Sequence, residues 1–229
     1  MIVIESRGAF RLSISRGGLP CPGSLLVSVA FVPGPCRRSF ALLFAAAAPA
    51  RAQLVVNEID YDQPGTDFAE FIEIKNVSAP SVNLSSYSVE LVDGNGGGAV
   101  VYQTIVLPAF NLAAGAYYVI CANAATVPNC NLDVTPDTNL IQNGAPDAVA
   151  IRQGATLIDT VSYEGVTGVP YTEGGVGAPA DDGMIPASGI SRIPDGIDTN
   201  ANDLDFAVAP ITPGFANTVP VELQSFTVE

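Results

Sequence analysis

Histidine and tryptophan are absent from the 229 residues of this chain, and lysine occurs once, as Lys75. The lack of imidazole excludes Ser-His-Asp and Cys-His catalytic systems, histidine-ligated zinc and histidine-held haem. With so few cationic side chains, stabilisation of an oxyanion or a phosphate would fall to backbone amides or to a metal ion. These absences argue against an enzyme.

The few basic residues are concentrated in the first part of the chain. Six of the nine Lys and Arg residues precede residue 53, whereas 22 of the 23 Asp and Glu residues follow residue 52. Residues 53–229 therefore hold three basic residues against 22 acidic ones, a formal charge of −19. This charge repels nucleic-acid phosphates and anionic membrane surfaces. We therefore expect no nucleic-acid partner, and divalent cations become the natural ligands.

Residues 1–52 are predicted to be a leader that carries a secretory signal. Arg37 and Arg38 precede an apolar run of 11 residues at 39–49, which is followed by the small-x-small sequence at 50–52. This arrangement is typical of a cleaved signal peptide. The run is too short for a transmembrane segment, which takes about 20 residues. We predict export to the periplasm, the cell surface or the medium, from a translation start that lies downstream of Met1.

Cysteine usage agrees with export. Two of the four cysteines lie in the leader, and Cys121 and Cys130 lie nine residues apart in the body. In an exported chain this spacing predicts one disulfide that closes a short loop. Closure of a loop of about ten residues is worth about 2.5–3 kcal/mol in the chain-entropy account. A redox or metal role would need closer spacing or further ligands.

Short runs of alternating apolar and polar residues dominate the body, and no convincing amphipathic helix is present. Turn-forming Gly, Pro, Asn and Asp separate these runs, which predicts an antiparallel β-sandwich over residues 53–217. The segment 218–229 resembles another strand, which either completes the sandwich or leads into a missing domain. The predicted strands are residues 54–60, 68–75, 87–93, 99–107, 116–121, 148–152, 156–163, 189–193 and 205–208.

Eight motifs in this body follow an ordered pattern over about residues 54–217. They are VNEI at 56–59, DYDQPGTD at 60–67, EFIEIKN at 70–76, VNLS at 82–85, LAAGAYYV at 112–119, NGAPDAV at 143–149, SRIPDG at 191–196 and TPGFAN at 212–217. Together they resemble a bacterial lamin-tail domain. The resemblance implies an immunoglobulin-like sandwich, exported and non-catalytic, that serves as an interaction or accessory module in a larger secreted or surface protein. Its partner would be a protein or a cell-surface component, and it implies no catalytic residue.

Residues 195–205 form the best candidate for a metal site. Calcium takes six to eight oxygen ligands from a flexible loop, and this segment offers alternating Asp and Asn side chains. Three of them match the first ligand spacings of an EF-hand loop, although an aspartate stands where that loop needs glycine. The alternative is a polar loop whose side chains cap turns. The candidate calcium ligands are Asp195, Asp198, Asn200, Asn202, Asp203 and Asp205.

A second acidic cluster comprises Asp60, Asp62, Asp67 and Glu70. Paired carboxylates of this kind could serve as acid and base in glycoside hydrolysis or bind a cation, and the alternative is a solvated loop. The seven tyrosines could include a platform for stacking on a sugar. The second functional hypothesis is therefore a calcium-dependent carbohydrate-binding module or hydrolase that uses the acidic loops. The sequence leaves the oligomeric state open.

Overall fold

The computed structural model describes residues 53–181, 183 and 187–218. The predicted leader at 1–52 and the C-terminal segment after residue 218 lie outside the described residues. The strands are β1 (Leu54–Asp60), β2 (Phe71–Asn76), β3 (Val82–Asn83), β4 (Tyr87–Asp93), β5 (Val100–Val106), β6 (Asn111–Leu112), β7 (Tyr117–Cys121), β8 (Cys130–Asp133), β9 (Asp147–Gln153), β10 (Thr156–Tyr163), β11 (Ser188–Arg192) and β12 (Phe206–Pro210). One helical turn, α1 (Asn202–Asp205), and two 3₁₀ turns, Leu84–Ser86 and Asn95–Gly97, complete the described part.

The strands form two packed sheets and a small ribbon. The larger sheet has the order β12-β11-β1-β2-β7-β8, the smaller sheet has the order β10-β9-β4-β5, and β3 pairs with β6. All pairs between named strands are antiparallel except β7 with β8. The predicted immunoglobulin-like β-sandwich is confirmed.

The core lies between the two sheets and is built from the inward residues of each alternating strand. Ile72 and Ile74 of β2 pack in the same buried cluster as Val89 and Leu91 of β4. A strand buries every second side chain on one face, so the period of two in the sequence is the cause of this packing. Each of the nine predicted strands is present, and β3, β6 and β8 are additional.

Strand β1 is buried on both of its faces. A β-bulge between Val56 and Glu58 leaves Asn57 with no residue opposite it in β2. As a result, Glu58 lies opposite Glu73 of β2. All seven residues of β1 are buried. The carboxylates on the face away from the core are covered by the segment 212–217, which places acidic side chains in a poorly hydrated setting.

The predicted disulfide between Cys121 and Cys130 is present and joins the end of β7 to the start of β8. Cys121 is buried with Phe71, Val119 and Val127 in a small apolar cluster outside the main core. The bond therefore fixes the short loop between the parallel strands against the larger sheet.

In the part of the chain that the structure describes, no helix has the length and apolar character needed to cross a bilayer.

Candidate functional site

Arg192, the last residue of β11, is a fully buried arginine. Its Nε donates a hydrogen bond to the carbonyl oxygen of Val56 at 3.0 Å, and its Nη1 donates one to that of Ile197 at 3.2 Å. The guanidinium carbon lies 4.6 Å from the centre of the Phe206 ring. The side chain therefore connects β1, β12 and the loop at 195–205.

Three carboxylates surround this guanidinium. Its nitrogen atoms lie 3.2 Å from Asp159, 3.3 Å from Asp198 and 2.9 Å from Asp205. Asp159 belongs to β10 and also accepts a hydrogen bond from the backbone nitrogen of Val56 at 2.6 Å. The ion pair of Arg192 with Asp159 thus joins β11 of the larger sheet to β10, the edge strand of the smaller sheet, in a setting where an unpaired charge would be costly.

Two of the predicted calcium ligands hold the loop through bonds to its own chain. Asp205 accepts hydrogen bonds from the backbone nitrogen and the hydroxyl of Thr199 at 2.8 and 2.6 Å. Asn202 donates to the carbonyl oxygen of Thr160 at 2.9 Å. The bonds that Asp205 accepts are local, like those of side chains that cap turns. The bond of Asn202 ties the loop to β10, 42 positions earlier in the chain. Two other predicted ligands are exposed, Asn200 and Asp203.

Asp195 takes part in a different cluster from the other predicted ligands. It forms an ion pair with Lys75 and accepts hydrogen bonds from Tyr117 at 2.8 Å and Asn57 at 2.9 Å. Burial opposes ionisation of this carboxyl, but the bonds from Lys75, Asn57 and Tyr117 lower its pKa below the ordinary value. The six predicted ligands therefore do not converge. Asp198 and Asp205 contact Arg192, whereas Asp195 pairs with Lys75. Asn202 is buried and bonds to β10, and the other two are exposed. Calcium binding by this loop stays a prediction.

A group of three carboxylates does come together beside Arg192. Single oxygen atoms of Asp159, Glu173 and Asp198 lie within 4.8 Å of one another. Burial raises the pKa of Glu173 to about 8, and the charges of Asp159 and Asp198 add to the rise. The sequence indicated only Asp198, because Asp159 lies in an alternating strand and Glu173 in a glycine-rich loop.

Glu58 and Glu73 form a buried pair of like charges across β1 and β2. Burial raises their pKa values to about 7 and about 8, respectively. Glu58 accepts a hydrogen bond from the backbone nitrogen of Thr212 at 2.9 Å, and Glu73 accepts one from that of Gly214 at 2.6 Å. The motif at 212–217 is therefore a cover for these carboxylates, a role that its composition did not reveal.

The second predicted acidic cluster lies at the end of β1. The side-chain nitrogen of Gln63 donates to Asp60 at 2.7 Å, and its backbone nitrogen donates to Asp67 at 2.9 Å. The side-chain nitrogen of Asn143 lies 3.5 Å from Asp62 and 3.4 Å from Asp67. The side chain and backbone of Gln63, together with the side chain of Asn143, thus bring these three aspartates together.

Glu70, the fourth member, is buried directly before β2. It accepts hydrogen bonds from the backbone nitrogens of Leu140 and Ile141 at 2.6 and 3.1 Å. Burial raises its pKa to about 7, and Asp67 and Asp62 contribute to the rise. The carboxylate anchors the loop at 140–141 and does not lie in a solvated loop.

Comparison with known families identifies this sandwich. The family model for the lamin tail domain matches residues 47–165, slightly more than half of the chain. The chain belongs to the lamin tail domain family. The matched residues include β1 to β10 of this lamin tail domain, with its second acidic cluster, whereas Arg192 and the loop at 195–205 follow the match. Among curated proteins, none matches the chain.

The structure places most of the tyrosine side chains of this lamin tail domain inside the fold. None of the seven is exposed, and Tyr61 and Tyr163 stack on each other with ring centres 4.3 Å apart. The hydroxyls of the two half-buried tyrosines are engaged, since Tyr102 accepts from the backbone of Gln142 and Tyr117 donates to Asp195. Sugar binding through a tyrosine ring stays a prediction.

Proposed function

We propose that the chain is a non-catalytic, exported interaction module of a larger secreted or surface protein, and that it binds an extended segment of a partner protein along β5. The observation that carries the proposal is the open edge that β5 presents. Within the described residues, β5 pairs with β4 alone and forms one edge of the smaller sheet. Edge strands offer unpaired backbone groups to an incoming strand.

The sequence of β5 does not protect this edge. It contains neither a charged residue nor a proline, which are the usual means of blocking strand addition. Val106 is 72% exposed and Val101 is 38% exposed. The backbone nitrogen of Leu107 donates to the carbonyl oxygen of Tyr87, just before Ser88 in β4. In an antiparallel pair, only every second residue bonds to the neighbouring strand. The N–H groups of Thr104 and Val106 therefore point away from β4, toward the open edge.

The surroundings of β5 favour a basic partner segment. Asp93 lies opposite the first residue of β5, and Asp133 and Asp137 are exposed on the chain that follows β7. Gln103 of β5 donates to the carbonyl oxygen of Thr135 at 3.3 Å, which holds this acidic stretch beside the edge. An uncharged extended segment could pair with β5, and Lys or Arg residues at its flanks would be attracted to the neighbouring aspartates.

Binding without catalysis is supported by the use of the cationic side chains. Lys75, Arg152 and Arg192 are the basic residues of the described part, and each forms an ion pair with a carboxylate of the same chain. They are therefore engaged in the fold and not directed at a substrate. Membership of an immunoglobulin-like family agrees with this role.

Export rests on the leader and on the disulfide, because such bonds persist in oxidising compartments. When the full chain is produced in a bacterial host, mass spectrometry should find a periplasmic or secreted product that begins at Gln53 with Cys121 and Cys130 oxidised. An intracellular product that keeps residues 1–52 would contradict this part of the proposal.

Strand addition is tested with a displayed library of random linear peptides selected against the full chain. We expect enrichment of peptides in which apolar residues alternate and Lys or Arg lies nearby. Val106→Lys places a charge on the open edge and should weaken their binding by about tenfold, equivalent to about 1.4 kcal/mol. Val169→Lys is the matched control, since Val169 is 93% exposed in a loop outside the strand. No enrichment, or equal effects of the two variants, would refute the proposal.

A further inference from the structure

Lys75, the only lysine of the chain, lies against Asp195 on the outer face of the larger sheet. It belongs to β2, in which Ile72 and Ile74 face the core, so the alternation of the strand directs Lys75 to the opposite face. Asp195 lies in the loop that follows β11. The amine of Lys75 donates a hydrogen bond directly to Oδ2 of Asp195, across 120 positions of the chain. The contact therefore joins an interior strand of the sheet to a distant loop.

Both partners of this contact are held in place by their surroundings. The side chains of Lys75 and Asp195 are only 13% and 18% exposed. A Cβ atom at Gly196 would lie 2.8 Å from Cδ and 3.1 Å from Nζ of Lys75, so glycine at this position lets the loop lie against the lysine side chain. The amine also lies 5.0 Å from the centre of the Tyr117 ring. The amine of Lys75 therefore has little freedom to move away from Asp195.

The two carboxyl oxygens of Asp195 have different hydrogen-bond donors. Oδ1 accepts bonds from the side-chain nitrogen of Asn57 at 2.9 Å and from the backbone nitrogen of Asn217 at 3.3 Å. Oδ2 faces the amine and accepts a bond from the hydroxyl of Tyr117 at 2.8 Å. In acyl transfer, N–H donors stabilise the oxygen that gains negative charge, and an acidic group protonates the oxygen that leaves. The donors around Asp195 match this requirement.

We propose that Lys75 and Asp195 become joined by an isopeptide bond between Nζ and Cγ once the chain has folded. Lys75 first transfers a proton to Asp195 within their hydrogen bond, which leaves a neutral amine and a carboxylic acid. The Nζ–Cγ bond then forms while negative charge gathers on Oδ1, beside Asn57 and Asn217. The Cγ–Oδ2 bond breaks, and Oδ2 leaves as water with two protons that came from the amine, relayed through the hydroxyl of Tyr117. The ion pair and the products, an amide and water, are both neutral overall, so the step needs no oxidant, reductant or co-reactant.

Proximity and burial favour this condensation. Well-oriented groups within one molecule react with effective concentrations of about 10⁵–10⁸ M. Removal of water from the pair penalises its charged state relative to the neutral amine and acid. The cross-link goes beyond the proposed function, because it lies on the larger sheet whereas β5 belongs to the smaller one. Either property can hold without the other.

The neighbouring carboxyl groups set the expected rate. Although burial opposes ionisation of Asp195, its hydrogen bonds lower the pKa of this carboxyl, so the neutral pair is a minor state and the bond should form slowly. Glu73 shares the side-chain amide of Asn57 at 2.8 Å. Burial raises the pKa of Glu73 to about 8, so at neutral pH this carboxyl is mostly protonated and does not compete with Asp195 for the amine.

Mass spectrometry of the purified full chain, sampled over a time course after folding, tests the cross-link. After reduction of the disulfide and unfolding, the intact mass should fall below that of the reduced chain by the mass of one water. Trypsin should no longer cleave after Lys75, because the side-chain amine is acylated, and the digest should contain a branched peptide that joins Lys75 to Asp195. A succinimide at Asp195 and Gly196 would lose the same water, but it leaves Lys75 open to trypsin.

Lys75→Arg keeps the positive charge beside Asp195 but removes the nucleophilic amine, so it should abolish the water loss and lower the Tm by several degrees. Tyr117→Phe removes the donor to the leaving oxygen and should slow bond formation by at least about tenfold. Asp203→Asn, at an exposed carboxyl, is the matched control and should change neither the mass nor the rate.

An unchanged chain of full mass that trypsin cleaves after Lys75 would overturn the proposal. So would a water loss that persists in Lys75→Arg, because it would then arise elsewhere in the chain. A rate that Tyr117→Phe leaves unaltered would contradict the proton relay through that hydroxyl.

Discussion

Replacing Arg192 with methionine should lower the free energy of unfolding by about 3–5 kcal/mol, the usual cost of removing one partner from a buried ion pair. Methionine fills much of the same space, so the loss comes mainly from charge. Asp159 and Asp205 would remain buried without a cation, and the bond from Nε to Val56 would be lost. Urea unfolding at neutral pH, followed by circular dichroism, measures the change.

A matched control separates burial from the general loss of an arginine. Arg152→Met removes the ion pair with Glu90, whose two side chains are both partly exposed, and should cost about 1 kcal/mol or less. Combining Arg192→Met with Asp159→Asn should recover part of the lost stability, because the orphaned charge is removed as well. Equal losses for the two arginines would show that the Arg192 cluster does not hold the sheets together.

Raising the pH from 5 to 9 should destabilise the protein. Burial raises the pKa values of Glu58 to about 7 and Glu73 to about 8, above the ordinary value of 4.5, so the folded state binds protons more tightly than the unfolded chain. The stabilisation from these protons is fully present below about pH 4.5 and is lost as the pH rises through 7 and 8. Each group contributes a slope of at most about 1.4 kcal/mol per pH unit.

The Tm measured across this pH range in constant salt tests the sign. Glu58→Gln removes one titrating group and should flatten the decline above pH 6, although the variant loses an acceptor for Thr212 and starts from a lower stability. Asp203→Asn alters an exposed carboxyl and should leave the slope unchanged. A Tm that is constant or rises between pH 5 and pH 9 would contradict the burial of Glu58 and Glu73.

The fold was accessible to sequence analysis because alternation and turn residues act locally. Strand β4 shows this most clearly, since Val89 and Leu91 face the core where a period of two places them. By contrast, β3 and β6 contain two residues each, too few for any period to be visible. Strand β8 pairs in parallel with β7, and a contact of that kind depends on the path of the loop between them.

The polar clusters were less accessible because they depend on contacts between distant parts of the chain. The composition of the acidic loop at 195–205 predicts a metal site, but Asp198 and Asp205 pair with Arg192 because β11 ends beside them. Asp159 joins that cluster by a direct ion pair with Arg192, 33 positions later in the chain, and accepts a bond from the backbone of Val56, 103 positions earlier. The sequence shows Asp60 only as a member of an acidic run, whereas its burial depends on tertiary packing.

Hydrogen exchange at β5, read residue by residue by NMR, tests the proposed interaction edge most directly. In the free chain, the amides of Thr104 and Val106 should exchange rapidly, while those of Gln103 and Ile105 are protected by β4. Binding of a library-selected basic peptide should slow exchange at Thr104 and Val106 by at least about tenfold, because an added strand pairs with them. Protection confined to residues outside β5 would contradict the account.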